Sequence, residues 1–229
     1  MVTVCVSQPG YFQRLHYFAR MYESDVFVSL AGAQISRRSG QCRAELDGRR
    51  LTVPVCGGNR QALLDAIPDY ASRWTHKHAV ELERLYGKAP MYKEVMELVV
   101  EVFLNAERFK WSMASLGITL ARVVMERVAW KGKLLEAGLR PDCIEKPSDW
   151  MLMLAEEHNA DVYLCGQPAY DAYLDLLSFE QANIEVRVQK WQCPEYRKMK
   201  GGFVPNLSVL DALMYCTPEE LIAVLKGVQ

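Results

Sequence analysis

Three side chains in this sequence lead the candidates for catalysis near neutral pH. His78 lies in Thr75-His-Lys-His-Ala79. Imidazole titrates close to working pH, which makes His78 the candidate general base. It precedes an apolar face one turn beyond Trp74, so the competing role is an imidazole packed at a helix edge. Cys165 ends an apolar run just before Gly166, where functional side chains of α/β proteins often lie. Paired with a histidine, its thiol would be a nucleophile for covalent acyl transfer. The alternative is a small buried cysteine. Cys216 is a second candidate nucleophile, and Cys5, inside a buried strand, is expected to be inert. Asp211, on the face of the last long helix, would orient a base or an amine, or else form a cap or an ion pair. His16 sits mid-helix and reads as structural or tuning. His76 points elsewhere on its helix, so no His-x-His metal pair is expected.

Binding groups are placed by the same logic. Gln8 and Tyr11 put an amide and a phenol at the carboxyl end of the first strand, where parallel sheets take their ligands. The alternative for both is hydrogen bonding that holds a turn. Arg37, Arg38, Arg43, Arg49 and Arg50 concentrate positive charge around a hairpin. They protect a sheet edge, or Arg38 and its neighbours clamp a phosphate or carboxylate. Lys77 and Lys88 would hold a phosphate on a carrier or nucleotide, although Lys77 also suits a surface pair with Glu81.

The elements that must position these groups begin with Val4 to Gln34. Val4-Cys-Val6 reads as a buried strand, Ser7-Gln-Pro-Gly10 as its stop, and Tyr11 to Tyr22 as a helix. Val26 to Leu30 is a second strand, and the unit is βαβ with a parallel, right-handed crossover. Asp47-Gly48 marks a tight hairpin turn between Arg43-Leu46 and Arg49-Val55. Helical spacing then runs through a middle segment, about 73–132: helices over 73–86, 91–110 and 120–131, with Ser115-Leu-Gly117 between the last two. α/β alternation returns afterwards. A helix opens at Ser148, a strand spans 161–166, a helix 170–180, a strand 184–190. Gly201-Gly202 is a loop, 205–215 a helix, and Thr217-Pro218 opens a last helix. The fold class is α/β: a mainly parallel sheet with flanking helices, a β-hairpin insertion and the helical middle segment, in one domain over 1–229.

Composition narrows the class. The 229 residues are 50% hydrophobic and 24% charged, with formal net charge −1. That is ordinary for a globular protein and offers no basic field for DNA or a membrane surface. No run approaches the roughly 20 apolar residues of a membrane span, and the opening residues are unlike a secretory signal. Seven dispersed cysteines without a CxxC pair fit reduced thiols in the cytoplasm. Cys42 and Cys56 lack neighbours at ligand spacing, so no metal is expected. No cofactor is expected either, and there is no GxxxxGK[ST] loop.

Three segments in order resemble the WbqC-like protein family. They are Ser7-Gln-Pro-Gly-Tyr-Phe12 with Tyr17-Phe18, Asp25-Val-Phe-Val28 and Gln34; then Trp74, Lys77-His78, Tyr86, Lys88-Ala-Pro90 and Tyr92; then Tyr163, Gly166, Tyr170, Asp175, Phe179, Pro194, Tyr196 and Phe203 to Asp211. Gln13 stands where the family usually has proline, and His16 where it often has glycine. The resemblance adds Gln34 to the substrate-binding set. It implies bacterial polysaccharide (O-antigen) or natural-product biosynthesis and transfer of an amino acid, typically glycine, onto an amine. His78 would then be the base, the amine a small molecule, and the donor a carrier-protein thioester, an aminoacyl-tRNA or an adenylate. Low basicity weighs against tRNA. The alternatives are an ATP-dependent ligase or nucleotidyl-type enzyme, and a non-catalytic partner of a biosynthetic enzyme.

Overall fold

The structure, a computed structural model, describes residues 1–58, 60–197 and 202–228. In chain order the elements are β1 (Thr3–Ser7), α1 (Leu15–Glu23), β2 (Val26–Leu30) and the hairpin β3 (Arg43–Leu46) and β4 (Arg49–Thr52). Three helices follow: α2 (Trp74–Tyr86), α3 (Tyr92–Phe109) and α4 (Met113–Arg127). Then come β5 (Lys133–Ala137), α5 (Pro147–Glu157), β6 (Val162–Cys165), α6 (Gln167–Ala172), α7 (Leu176–Gln181), β7 (Glu185–Val188), α8 (Val209–Tyr215) and α9 (Pro218–Lys226).

The five-stranded sheet is parallel throughout, in the order β5-β2-β1-β6-β7. β2 and β5 lie on one side of β1, β6 and β7 on the other. The chain therefore reverses its direction of travel between β1 and β6, which makes that gap the topological switch point. β1 and β2 read as unbroken apolar runs because both faces of the sheet are covered. Cys5, Phe27 and Leu164 face the helical layer that includes α1 to α4, α8 and α9. Val4, Val26, Tyr163 and Cys165 pack against Trp150 and Leu154 of α5 and Phe179 of α7.

Several boundaries differ from the sequence expectation. α1 begins at Leu15, not Tyr11, because the Pro9-Gly10 turn extends through Phe12 in the left-handed region (φ 41°) and Arg14 is extended. α4 begins at Met113, capped by Ser112, so Ser115 to Gly117 lies inside a helix. Gly117 is there for close approach: a Cβ would sit 2.7 Å from the Gly10 nitrogen. The sequence pattern assigns no element to 133–137, yet these five residues form β5 and align with all of β2. The helix read over 170–180 is two short ones, interrupted at Tyr173 to Asp175, and its Asp175 N–H donates to Ser148 Oγ (2.8 Å). Ser148 is therefore inside α5, and Lys146 is its N-cap. α8 starts at Val209 with Ser208 as cap. The hairpin turn is as expected, with Gly48 at φ 65°, and Thr217 forms a capping box on α9. Of the Gly201-Gly202 loop, Gly201 lies outside the described residues.

Candidate functional site

At the switch point the carboxyl ends of β1 and β6 open a crevice of about 440 Å³, within the usual range for small-molecule sites. Ser7 and Gln8 line it from β1, Cys165 and Gly166 from β6. α1 forms one wall. His16 and Arg20 are four residues apart, so they share a helix face, and both line the crevice below Gln13. The loop Ser39 to Gln41 and the residues Tyr173 and Gln189 complete the rim.

The polar geometry is specific. Arg20 forms no ion pair among the described residues, although it is only partly exposed. It lies over Gly166, where a Cβ would come within 2.4 Å of its Nη1. Gly166 has φ −90°, which alanine accepts. We therefore expect Gly166→Ala to displace the guanidinium, weakening ligand binding about tenfold while leaving the melting temperature within a few degrees. Calorimetric titration beside a thermal melt checks this.

His16 is held by Asn206. The Asn206 Oδ1 accepts from the His16 backbone N–H (3.0 Å) and lies 3.0 Å from His16 Nδ1. A backbone N–H only donates, so this atom is the amide oxygen, and Nδ1 must carry the proton. Nε2 is thus the basic nitrogen. Burial lowers the His16 pKa, with Arg20 and Arg14 adding to the effect and Asn206 opposing it. The ring is therefore neutral at pH 7. Gln41, 3% exposed, donates from Nε2 to Gln8 Oε1 (2.6 Å) and leaves the Gln8 NH₂ group without a partner among the described residues. Gln13 lies between Gly10 and Gly40, each with room only for hydrogen at Cα.

The residues singled out from sequence divide between this crevice and the interior. Gln8 and Cys165 line the crevice. The Cys165 thiol is 5% exposed, and burial pushes it up to about 11, with Arg20 opposing. His78 does not line the crevice. It is 7% exposed within an aromatic cluster of Tyr11, Phe12, Trp74 and Phe103. The Tyr11 hydroxyl donates to His78 Nδ1 (2.9 Å), and the Thr52 backbone accepts from the ring. Tyr11 is fully buried there. Asp211, in the first turn of α8, is fully buried too and accepts from Tyr86, Tyr196 and Arg197. Lys77 and Lys88 are exposed on α2 and just past its end, and neither lines the crevice. Arg38 and Gln34 lie in the loop that leads to the Ser39–Gln41 rim; the Arg38 carbonyl accepts from Arg43 (3.4 Å), and Gln34 pairs with Ala62.

Burial lowers the His78 pKa to about 4, with Lys77 contributing and the Thr52 bond opposing. An unfolded histidine titrates near 6.5. Between those values the unfolded chain takes up a proton that the folded chain refuses. The associated stability is complete above about pH 6.5 and declines as pH falls toward 4, by at most about 3 kcal/mol. Melting temperatures followed from pH 7 to pH 4 should drop more steeply for the wild type than for His78→Gln.

His16, Arg20, Gln13, Gln41 and Gln189 were not identified as binding or catalytic groups from sequence. The available signal was the four-residue spacing of His16 and Arg20 on a helix that leaves the end of a strand. Both departures from the family pattern, Gln13 and His16, line the crevice. Among the described residues no group of three or more His, Cys, Asp or Glu could hold a metal ion.

Strand order and crevice together define a doubly wound α/β protein with a crevice at its switch point, the place where such folds generally bind ligands. The model of the WbqC-like protein family matches residues 8–223, and the chain belongs to that family. It is 22% identical over 220 residues to the uncharacterized protein Rv1507c of Mycobacterium tuberculosis (strain ATCC 25618 / H37Rv), with 93% of each chain covered. No solved structure matches the chain significantly. No described helix is long and apolar enough to cross a membrane.

Proposed function

We propose that the chain transfers an aminoacyl group from an activated donor to an amine held in the crevice, forming an amide. The observation that supports this best is His16, a neutral imidazole on the crevice wall with Nδ1 committed to Asn206 and Nε2 left basic. In the reaction the amine nitrogen attacks the donor's carbonyl carbon. The new C–N bond forms as the bond from that carbon to the donor's sulfur or oxygen breaks. The proton leaving nitrogen passes to His16 Nε2 and from there to the leaving group. In this reading His16 takes the role first assigned to His78, which supports the fold instead. Holding donor and amine together in a closed site supplies the remaining acceleration.

Transfer is direct. A Cys165 thiol raised to about 11 is almost entirely protonated at pH 7, which is unfavourable for a covalent intermediate. The α1 N-terminus is no phosphate cradle, since its first N–H groups donate to Leu207 O and Asn206 Oδ1. That argues against the ATP-dependent ligase reading. The setting implied by the family resemblance is bacterial polysaccharide or natural-product biosynthesis, with an aminoacyl carrier protein as donor.

The test incubates the protein with a small glycyl thioester and a panel of primary amines, and follows thiol release and amide mass. Amide that forms only with the protein, without ATP and without a glycyl-protein adduct, supports the reading. A glycyl-Cys165 adduct that chases into product would replace direct transfer by the covalent route. No amide with any amine, or an absolute need for ATP, overturns the proposal.

A further inference from the structure

We infer that the crevice is built for a sugar bearing one negative charge: a monosaccharide with a carboxylate or a phosphate. This deepens the reading above by naming the body of the acceptor, on which a neutral amine would be the attacking group, and it rests on that reading for the acceptor's role but not for its binding.

The argument comes from what lines the crevice. Five of the ten glutamines in the chain do so: Gln8, Gln13, Gln41, Gln167 and Gln189. Among the described residues no Asp, Glu or Lys does, and Arg20 is the single permanent charge. The amide atoms left without a partner among the described residues are of both kinds. Gln8 keeps its NH₂, because only its Oε1 is taken. Gln167 and Gln189 keep Oε1, because their Nε2 atoms donate to Asp171 (2.7 Å) and to the His16 carbonyl (3.1 Å). Gln13 keeps both. A mixed set of neutral donors and acceptors matches hydroxyl groups, each of which donates and accepts at once. Tyr173, 42% exposed at the rim, offers the flat apolar surface against which a sugar ring packs. Arg20, half-buried and without a carboxylate partner, supplies the bidentate fork that a carboxylate or phosphate fits. A ligand whose only charge is positive finds no counter-charge among the described lining residues, and an apolar one would take several exposed or half-exposed amides out of water without replacing their hydrogen bonds.

Calorimetric titration of the intact chain with glucuronate, glucose 1-phosphate, glucose, acetate, inorganic phosphate and AMP tests this without any acyl donor. We expect saturable binding of glucuronate or glucose 1-phosphate, with the better of the two identifying the anionic group. Glucose, acetate and inorganic phosphate should each bind at least tenfold more weakly, because each presents half of the recognised chemistry. Arg20→Gln should reduce the anionic sugar to the affinity of glucose. Gln8→Ala, at an exposed position, should weaken both sugars equally. Glucose binding as well as the anionic sugars would overturn the inference, as would inorganic phosphate or AMP binding as tightly, or no sugar binding at all. Sugar binding without amide formation would sink the transferase reading alone. Amide formation on simple amines without sugar binding would sink this inference alone.

Discussion

Replacing His16 by glutamine is expected to slow amide formation by about 10²–10⁴, the usual contribution of a positioned general base. Glutamine keeps a polar group against Asn206 but has no basic nitrogen. The pH profile separates loss of the base from mere disturbance. In the wild type two protons must be absent, one from the amine and one from Nε2. Burial lowers the His16 pKa, so the second requirement is felt only below about pH 6.5. In that range the wild-type rate should fall more steeply with acid, by one proton, than the variant rate. At higher pH the two profiles should run parallel, displaced by the loss of the base. A variant that is slow but retains the steeper acid limb would show that His16 positions the substrate and that the proton goes elsewhere. A variant with wild-type rate would remove the base from the mechanism.

The second large effect concerns Asp211, and it should appear as stability. Its carboxylate is fully buried, with all four approaches filled. Oδ2 accepts from Tyr86 (2.9 Å) and Arg197 Nη2 (2.7 Å), and Oδ1 accepts from Tyr196 (2.6 Å) and Arg197 Nε (2.9 Å). The Arg197 pair is bidentate, and its side chain is only 11% exposed. In Asp211→Asn one oxygen becomes an NH₂ that faces two donors, while the guanidinium stays buried with the exposed Asp47 as its remaining charged partner. Breaking a buried pair in this way costs about 3–5 kcal/mol. For a chain of this length the melting temperature should fall by about 10 °C. Asp211 was first considered for its chemistry, and the experiment also decides that point. If Asp211→Asn melts like the wild type yet no longer forms amide, the carboxylate acts on the reaction after all.

The two residues illustrate what the sequence disclosed and what it withheld. The βαβ start was legible because Val4 to Val6 and Val26 to Leu30 are continuous apolar runs, the mark of strands covered on both faces. The hairpin was legible through Asp47-Gly48, and Gln8 through the rule that ligands sit at strand carboxyl ends. β5 was not, since Lys-Leu-Leu-Glu-Ala has helix-forming residues and only its pairing with β2 makes it a strand. The wall of the site was hidden by a boundary error. With α1 started at Tyr11, His16 fell mid-helix and its proximity to the strand end was lost. His78 and Asp211 attracted attention by residue type. A single sequence carries no sign that their polar atoms are matched by Tyr11, Thr52, Tyr86 and Arg197.

The segment that holds α1 in place comes from the far end of the chain. Leu207 O accepts from the Leu15 N–H, Asn206 Oδ1 from His16, and Ser208 Oγ donates to Phe12 O (2.7 Å). Val209 N–H closes the row on Gln13 O. During synthesis the first residues of the crevice leave the ribosome early, yet the partners that orient His16 emerge nearly two hundred residues later. A nascent chain cut short before Asn206 would carry His16, Arg20 and all five glutamines and still lack an assembled site. Activity should therefore switch on late and abruptly during translation, and a fragment ending before Asn206, expressed apart, should regain it only when the C-terminal segment is supplied in trans.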